Sequence, residues 1–326
     1  MSASSFFSKH SLLAALAALV TACSNGVDPS DPSYAVPTHF PVMPYPADNA
    51  PTAERITLGE RLFFDTRLSR TGTISCASCH HPNVAFADTL AISPGVEGRL
   101  GTRNAPSLLN VGYQPYFLRE GGVPTLEMQA LVPIQEHAEF DENILTIAER
   151  LRGDQEISHL SVSAYGRDVD PYVITRALAA FERTLVSGDA PYDRFVKGNT
   201  ASMSAAAQRG MRLFFGSRTN CSSCHGGFLF TTHGFENNGL YTEYADPGRF
   251  RLTGVESDRA VFKIPSLRHV SVTPPYMHDG SVRTLRAVLE HYNSGGSPHR
   301  NKSTLIRPLG LTSSELLDLE KFLECL

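Results

Sequence analysis

Apolar residues return at helical spacing in several separate stretches of the chain, and strand-like alternation is scarce. Asp141 opens one stretch in which Ile144, Leu145, Ala148 and Leu151 share a face, with Gly153 after its end. Asp170-Pro171 opens a second, carrying Ile174, Ala177, Leu178, Phe181 and Leu185. A third follows Thr284, where Leu285, Val288, Leu289 and Tyr292 fall at i, i+3, i+4 and i+7; Tyr292 therefore lies on the buried stripe, with His291 about 100° round the helix. Thr312 and Glu315 form a capping box before Leu316, Leu319 and Leu323. The pattern predicts a mainly α protein with long loops.

One apolar run differs from these. Lys9 and His10 precede Leu12 to Val20, and Val20-Thr-Ala-Cys23 ends the run as a lipoprotein signal does, which predicts removal of residues 1–22 and acylation of Cys23. Secretion with cleavage elsewhere is the alternative. The run is too short to span a membrane. Residues 23–50, rich in Pro, Asp, Ser and Ala without periodicity, read as a linker that is extended or wrapped over the surface.

The 326 residues suit two domains, expected at 51–195 and 196–326, because turn-forming residues gather between 188 and 202. An internal repeat supports that division. Gly59-Glu-Arg-Leu-Phe-Phe64 and Gly210-Met-Arg-Leu-Phe-Phe215 each lead into a cysteine motif. The formal charge of −4, without a dense basic run, argues against a nucleic-acid partner.

Those motifs are Cys76-Ala-Ser-Cys79-His80 and Cys221-Ser-Ser-Cys224-His225. Cys-x-x-Cys-His lets two thiols add to the haem vinyl groups while the imidazole reaches the iron. Four cysteines around zinc would leave the histidine after each pair without a role. Two covalently bound haem c groups are therefore expected, one in each cytochrome c-like domain. Of the six cysteines, one is then a lipid anchor, four are thioethers, and Cys325 is assigned no function.

Together with the two motifs, Arg103-Asn104-Ala-Pro-Ser, Leu126-Glu-Met-Gln129-Ala with Pro133 and Glu139 beyond it, and Thr273-Pro-Pro275-Tyr-Met-His278-Asp-Gly280 resemble the bacterial dihaem cytochrome c peroxidase and MauG superfamily. Ala179-Ala-Phe-Glu-Arg-Thr-Leu-Val-Ser-Gly188, Asn238-Gly-Leu-Tyr241 and Val272 to Gly280 are most similar to the MbnH branch, whose activity is tryptophan oxidation in a partner protein.

The resemblance implies site residues. Fourteen positions after His278 stands the sixth ligand of the second haem, Met in the peroxidases, Tyr in MauG and Tyr292 here. A phenolate oxygen favours the higher oxidation states of iron. For the first haem the resemblance implies Gln129, Pro133 and Glu139 in the distal pocket, with Glu139 as acid/base; His137 and Glu136 compete for that role. The loop from Pro82 to Arg103 contains no His, Met, Tyr or Cys to close the iron. Asn104, Thr273 and Pro275 are implied ligands of one Ca2+ between the haems. The family's interhaem tryptophan has no counterpart, since the chain has no Trp; Arg119 or Leu118 stands at its place, and Tyr113, Tyr116 or Phe117 are candidate substitutes.

The expectation is an exported, lipid-anchored dihaem oxidoreductase, tethered in the periplasm and most simply to the outer membrane. It uses hydrogen peroxide to reach a high-valent iron state and oxidises a partner protein, tryptophan being the target residue that the resemblance names. The alternatives are a cytochrome c peroxidase drawing electrons from a small cytochrome or cupredoxin, and a non-enzymatic dihaem electron-transfer lipoprotein.

Overall fold

A computed structural model describes residues 36–326. The signal segment and Cys23 lie outside the described residues. The described residues form eleven α-helices: α1 Ala53–Phe63, α2 Leu126–Gln129, α3 Leu131–Gln135, α4 Ile144–Arg152, α5 Gln155–Tyr165, α6 Pro171–Glu182, α7 Pro191–Val196, α8 Ala205–Phe215, α9 Phe250–Thr253, α10 Leu285–Ser294 and α11 Ser313–Leu323. The one sheet among the described residues pairs β1 (Phe235–Glu236) with β2 (Phe262–Lys263), antiparallel.

The sequence repeat is a packing repeat. α1 packs on α6 and α8 on α11, and in each pair the glycine of the repeated motif meets the partner helix. A Cβ on Gly59 would sit 1.9 Å from the Ala177 carbonyl oxygen, and one on Gly210 equally close to that of Asp318. Backbone stands directly on backbone at both places. Phe63 and Phe214, four residues further on, are then driven into the two cores. Gly210→Ala must force α8 from α11 and is expected to cost about 2–3 kcal/mol, the upper part of the usual overpacking range. A drop in the thermal midpoint of the holoprotein checks it, with Gly101→Ala, where a Cβ meets nothing within 4 Å and the backbone is not left-handed, as the control.

The predicted caps hold at two helices. Asp170 accepts from the Val173 N–H, and Thr312 and Glu315 form the capping box at α11. At α4 the cap is Asn143, which accepts from the Leu145 N–H, because Asp141 is turned to Arg70, Arg99 and His137 instead. α6 stops at Glu182, so Leu185 packs on the first core from beyond the helix.

Two separate cores hand over between Leu185 and Tyr192. Tyr192 and Phe195 of α7, just before the border expected at 195/196, pack on the second core. The linker, expected to be extended or wrapped over the surface, takes the second form where it is described. From residue 36 to 50 it is a strap with Phe40, Met43 and Asn49 buried. Phe40 lies edge-on to Tyr113 of the first domain and Phe228 of the second, at 5.9 and 4.8 Å between ring centroids. Asn49 donates to Glu127 (2.9 Å) and to the Arg176 carbonyl (3.0 Å). Polar, proline-rich sequence concealed these few anchors.

Two ion pairs sit in almost dry surroundings, where the geometry must be good to offset desolvation. Arg183 reaches from the end of α6 to Glu127 on α2 (2.7 Å), and Arg268 holds Asp193 of α7 (2.9 Å).

Candidate functional site

Each cysteine motif folds as a single 3-10 turn, Cys76–Ser78 and Cys221–Ser223, and the His N–H closes on the first Cys carbonyl at 2.9 and 2.8 Å. Both histidines are fixed alike. His80 Nδ1 lies 3.0 Å from the Phe86 carbonyl and His225 Nδ1 3.1 Å from that of Phe230. A carbonyl can only accept, so Nδ1 carries the proton and Nε2 keeps its lone pair for a metal. Phe86 and Phe230 both adopt left-handed backbone, φ 55° and 54°, which a bulky residue takes only where its surroundings enforce it. Burial lowers both imidazole pKa values, so the neutral, ligating form is favoured. Paired thiols with a neutral, oriented imidazole fit a covalently bound haem twice over.

The residues expected above the first motif come from α2, α3 and the turn after them. Ala130 between the helices is itself helical, so Gln129 and Pro133, four apart, share a face. Phe140 N–H bonds the Pro133 carbonyl (3.1 Å) and Glu139 N–H that of Glu136 (2.9 Å), which folds the turn back. Val96 N–H then donates to the Glu139 carbonyl at 2.9 Å. A Cβ on Gly95 would lie 2.0 Å from the Ala138 carbonyl oxygen, so the loop after the first motif walls this turn.

Glu139 is close enough to Cys76 and Cys79 for its charge to act on both thiols. Its side chain has an open face, yet protein around the carboxyl withdraws solvent; that desolvation, with Glu136 adding to it, raises its pKa to about 7. His137 points away: its side chain is 72% exposed and its Nδ1 lies 3.2 Å from Asp141 and 3.0 Å from Arg99. Glu136 is exposed and caps the Ala138 N–H at 3.4 Å.

Sequence reasoning gave Glu182 no role. It ends α6, is buried, acts electrostatically on Cys76, and has its pKa raised to about 8, by desolvation first, despite the neighbouring Arg183 charge. Its presence in a buried helical stripe, where a carboxylate is out of place, was the available signal.

At the second motif, α10 begins at the Thr284 cap and ends at Gly295 with φ 86°. It brings Tyr292 within electrostatic reach of Cys221, Cys224 and Tyr244, with the Asn238 side chain as a hydrogen-bonding neighbour. Burial raises the phenol pKa, while the Asn238 side chain works against it by hydrogen bonding. His291 is engaged elsewhere: its Nε2 lies 3.0 Å from the Asn238 carbonyl. Asn104 belongs to neither cluster. Its N–H donates to the His278 carbonyl (2.9 Å), its Nδ2 to that of Leu90 (3.1 Å), and both its oxygens accept from Arg119. Thr273 and Pro275 lie in the loop that leads to His278, with the Thr273 hydroxyl turned to the His269 and Val270 carbonyls.

A family model for di-haem cytochrome c peroxidase matches residues 53–201. The methylamine utilization protein MauG of Methylorubrum extorquens is 38% identical over 87% of this chain and 81% of its own length. The cytochrome-c peroxidase IdrP1 of Denitromonas iodatirespirans is 34% identical over 97% of this chain and 92% of its own. A solved MauG-like protein associated with microbial copper homeostasis superposes with a TM-score of 0.85 at 34% identity, over 90% of this chain and 94% of that one.

Proposed function

The chain belongs to the di-haem cytochrome c peroxidase and MauG family, and from that premise we propose that it uses hydrogen peroxide to oxidise a separate exported protein at tryptophan. Two covalent haem c groups, peroxide-driven oxidoreductase activity, and a protein substrate or electron donor follow from the family itself. The observation that carries the finer reading is Tyr292 within electrostatic reach of Cys221 and Cys224, where an oxygen donor suits a group that stores oxidising equivalents. When bound, the haems supply peroxide reduction and a path for electrons. The chain's own residues divide the remaining work. Glu139 takes and returns a proton at the first site, and Gln129 and Pro133 shape the space above it. Tyr292 holds the second site, and His80 and His225 present Nε2.

With no Trp in the chain, the residue consumed belongs to another molecule. The likeness to a MauG-like protein associated with copper homeostasis makes an exported copper-handling protein the first partner to test. The chain would meet it as a lipoprotein tethered through Cys23. No helix among the described residues is long and apolar enough to cross a membrane.

Peroxide added to the ferric holoprotein should give a long-lived oxidised species that decays faster with a Trp-bearing exported partner, and mass spectrometry should find oxygen added at that Trp. The second reading, a scavenging peroxidase, draws on the likeness to cytochrome-c peroxidase IdrP1. Steady peroxide turnover with a reduced small cytochrome or cupredoxin, without mass change in any partner, would establish it instead.

A further inference from the structure

Arg119 sits at the seam between the two domains. Its carbonyl accepts from the Lys263 N–H on β2 (2.7 Å), and its Nη2 donates to Asn104 twice, to the backbone oxygen at 2.9 Å and to Oδ1 at 3.1 Å. Its Nε is buried with no hydrogen-bond partner, alone in this among the side chains of the described residues. The neighbouring Arg103 is already paired with Glu120 and with Asp246, the latter at 2.6 Å, and Asp279 is the carboxylate whose charge acts on Arg119. No carboxylate among the described residues is bonded to the Arg119 guanidinium, and Asp279 acts on it only through its charge. Lys263 lies close enough for Arg119 to help depress its ammonium pKa, after desolvation, to about 7.

These contacts do not fit a calcium ion on Asn104. Calcium binds oxygens at about 2.3–2.6 Å, so an ion on Oδ1 would stand within roughly 5 Å of the guanidinium nitrogen bonded to the same atom. A divalent and a monovalent cation would share one desolvated oxygen, and the proposed set of an amide and two carbonyls brings no negative charge to offset the repulsion. Each Asn104 oxygen already accepts from one fixed cation, and a calcium ion on its second lone pair would face that positive charge directly.

We propose that Arg119 is the fixed cation of this seam: its guanidinium takes the oxygens of Asn104 that would otherwise hold calcium, and the protein works without the metal. One side chain thereby stands where the resemblance, through Asn104, puts an ion, in the Leu118-Arg119 pair that takes the place of the family's aromatic ring. The proposal is independent of which substrate the enzyme oxidises.

The test uses the full holoprotein, freed of loosely held metal by gel filtration. Elemental analysis should find no stoichiometric calcium, and neither excess chelator nor added calcium chloride should change the optical spectrum or either haem potential. Arg119→Gln, and Arg119→Leu as a second variant, free Asn104 Oδ1 and should take up about one calcium per chain, with a spectrum or potential that now responds to chelator. One tightly held calcium in the unaltered protein, or a chelator-induced shift in its haem potentials, overturns the proposal. So do folded Arg119 variants that stay free of calcium. If neither variant folds, the calcium content and chelator response of the unaltered protein decide alone.

Discussion

Glu139→Gln is expected to leave both haems attached but to slow the reaction with peroxide by roughly 100-fold or more, the usual scale for losing a positioned acid/base. The amide keeps size and polarity and removes only the proton acceptor. Four residues compete by sequence proximity or chemistry, and the geometry separates them. Glu139 acts on both cysteines of the first motif, His137 is held outward by Asp141 and Arg99, Glu136 is spent on a turn, and Glu182 acts on Cys76 alone, from α6. The pKa of about 7 gives the sign of the pH dependence. The carboxylate is the form that accepts the peroxide proton, so the rate should rise with pH through about 7 in the unaltered protein and be nearly flat across that range in the Gln variant. Stopped-flow mixing with peroxide between pH 5.5 and 8.5 reads both. A rate unchanged by the substitution would move the proton transfer to Glu182 or water.

Much of this site was legible in the sequence because its chemistry is local. Cys76 to His80 and Cys221 to His225 each fit within one turn; the helical stripe of α10 puts Tyr292 only on the buried face, and its expected role at the second haem came from the resemblance. The features that escaped depend on residues far apart. Glu139 reaches the first motif because a loop at Gly95 and Val96 walls its turn from more than forty positions earlier. The strap at Phe40 bridges two domains through rings at 113 and 228, and nothing in its own composition marks that. Arg119 and Asn104 meet across fifteen residues in a loop region, where neither periodicity nor caps report contacts. The glycine repeat was visible, but its cause, two equivalent helix pairs, needs the partner helices α6 and α11 to be seen.

Tyr292→Met should raise the reduction potential of the second haem by on the order of 100 mV or more, within the range of about 0.8 V over which axial ligands tune haem iron. An anionic oxygen donor stabilises ferric iron; a neutral thioether stabilises ferrous iron. Position within α10 makes the exchange geometrically mild. The helix is fixed at one end by the Thr284 cap and at the other by Gly295, and His291 keeps its bond to the Asn238 carbonyl, so the new side chain enters from the same backbone position. Met fills irregular space with little strain. A higher potential makes the second haem a better electron acceptor and a poorer store of oxidising equivalents. The long-lived species after peroxide should then disappear, and turnover with a reduced small cytochrome should appear. Spectropotentiometric titration of the variant beside the unaltered protein measures the first effect, and the decay rate after one equivalent of peroxide measures the second. No upward change in potential would mean that Tyr292 packs beside the haem without binding it, and the case for protein oxidation over peroxide scavenging would lose its carrying observation.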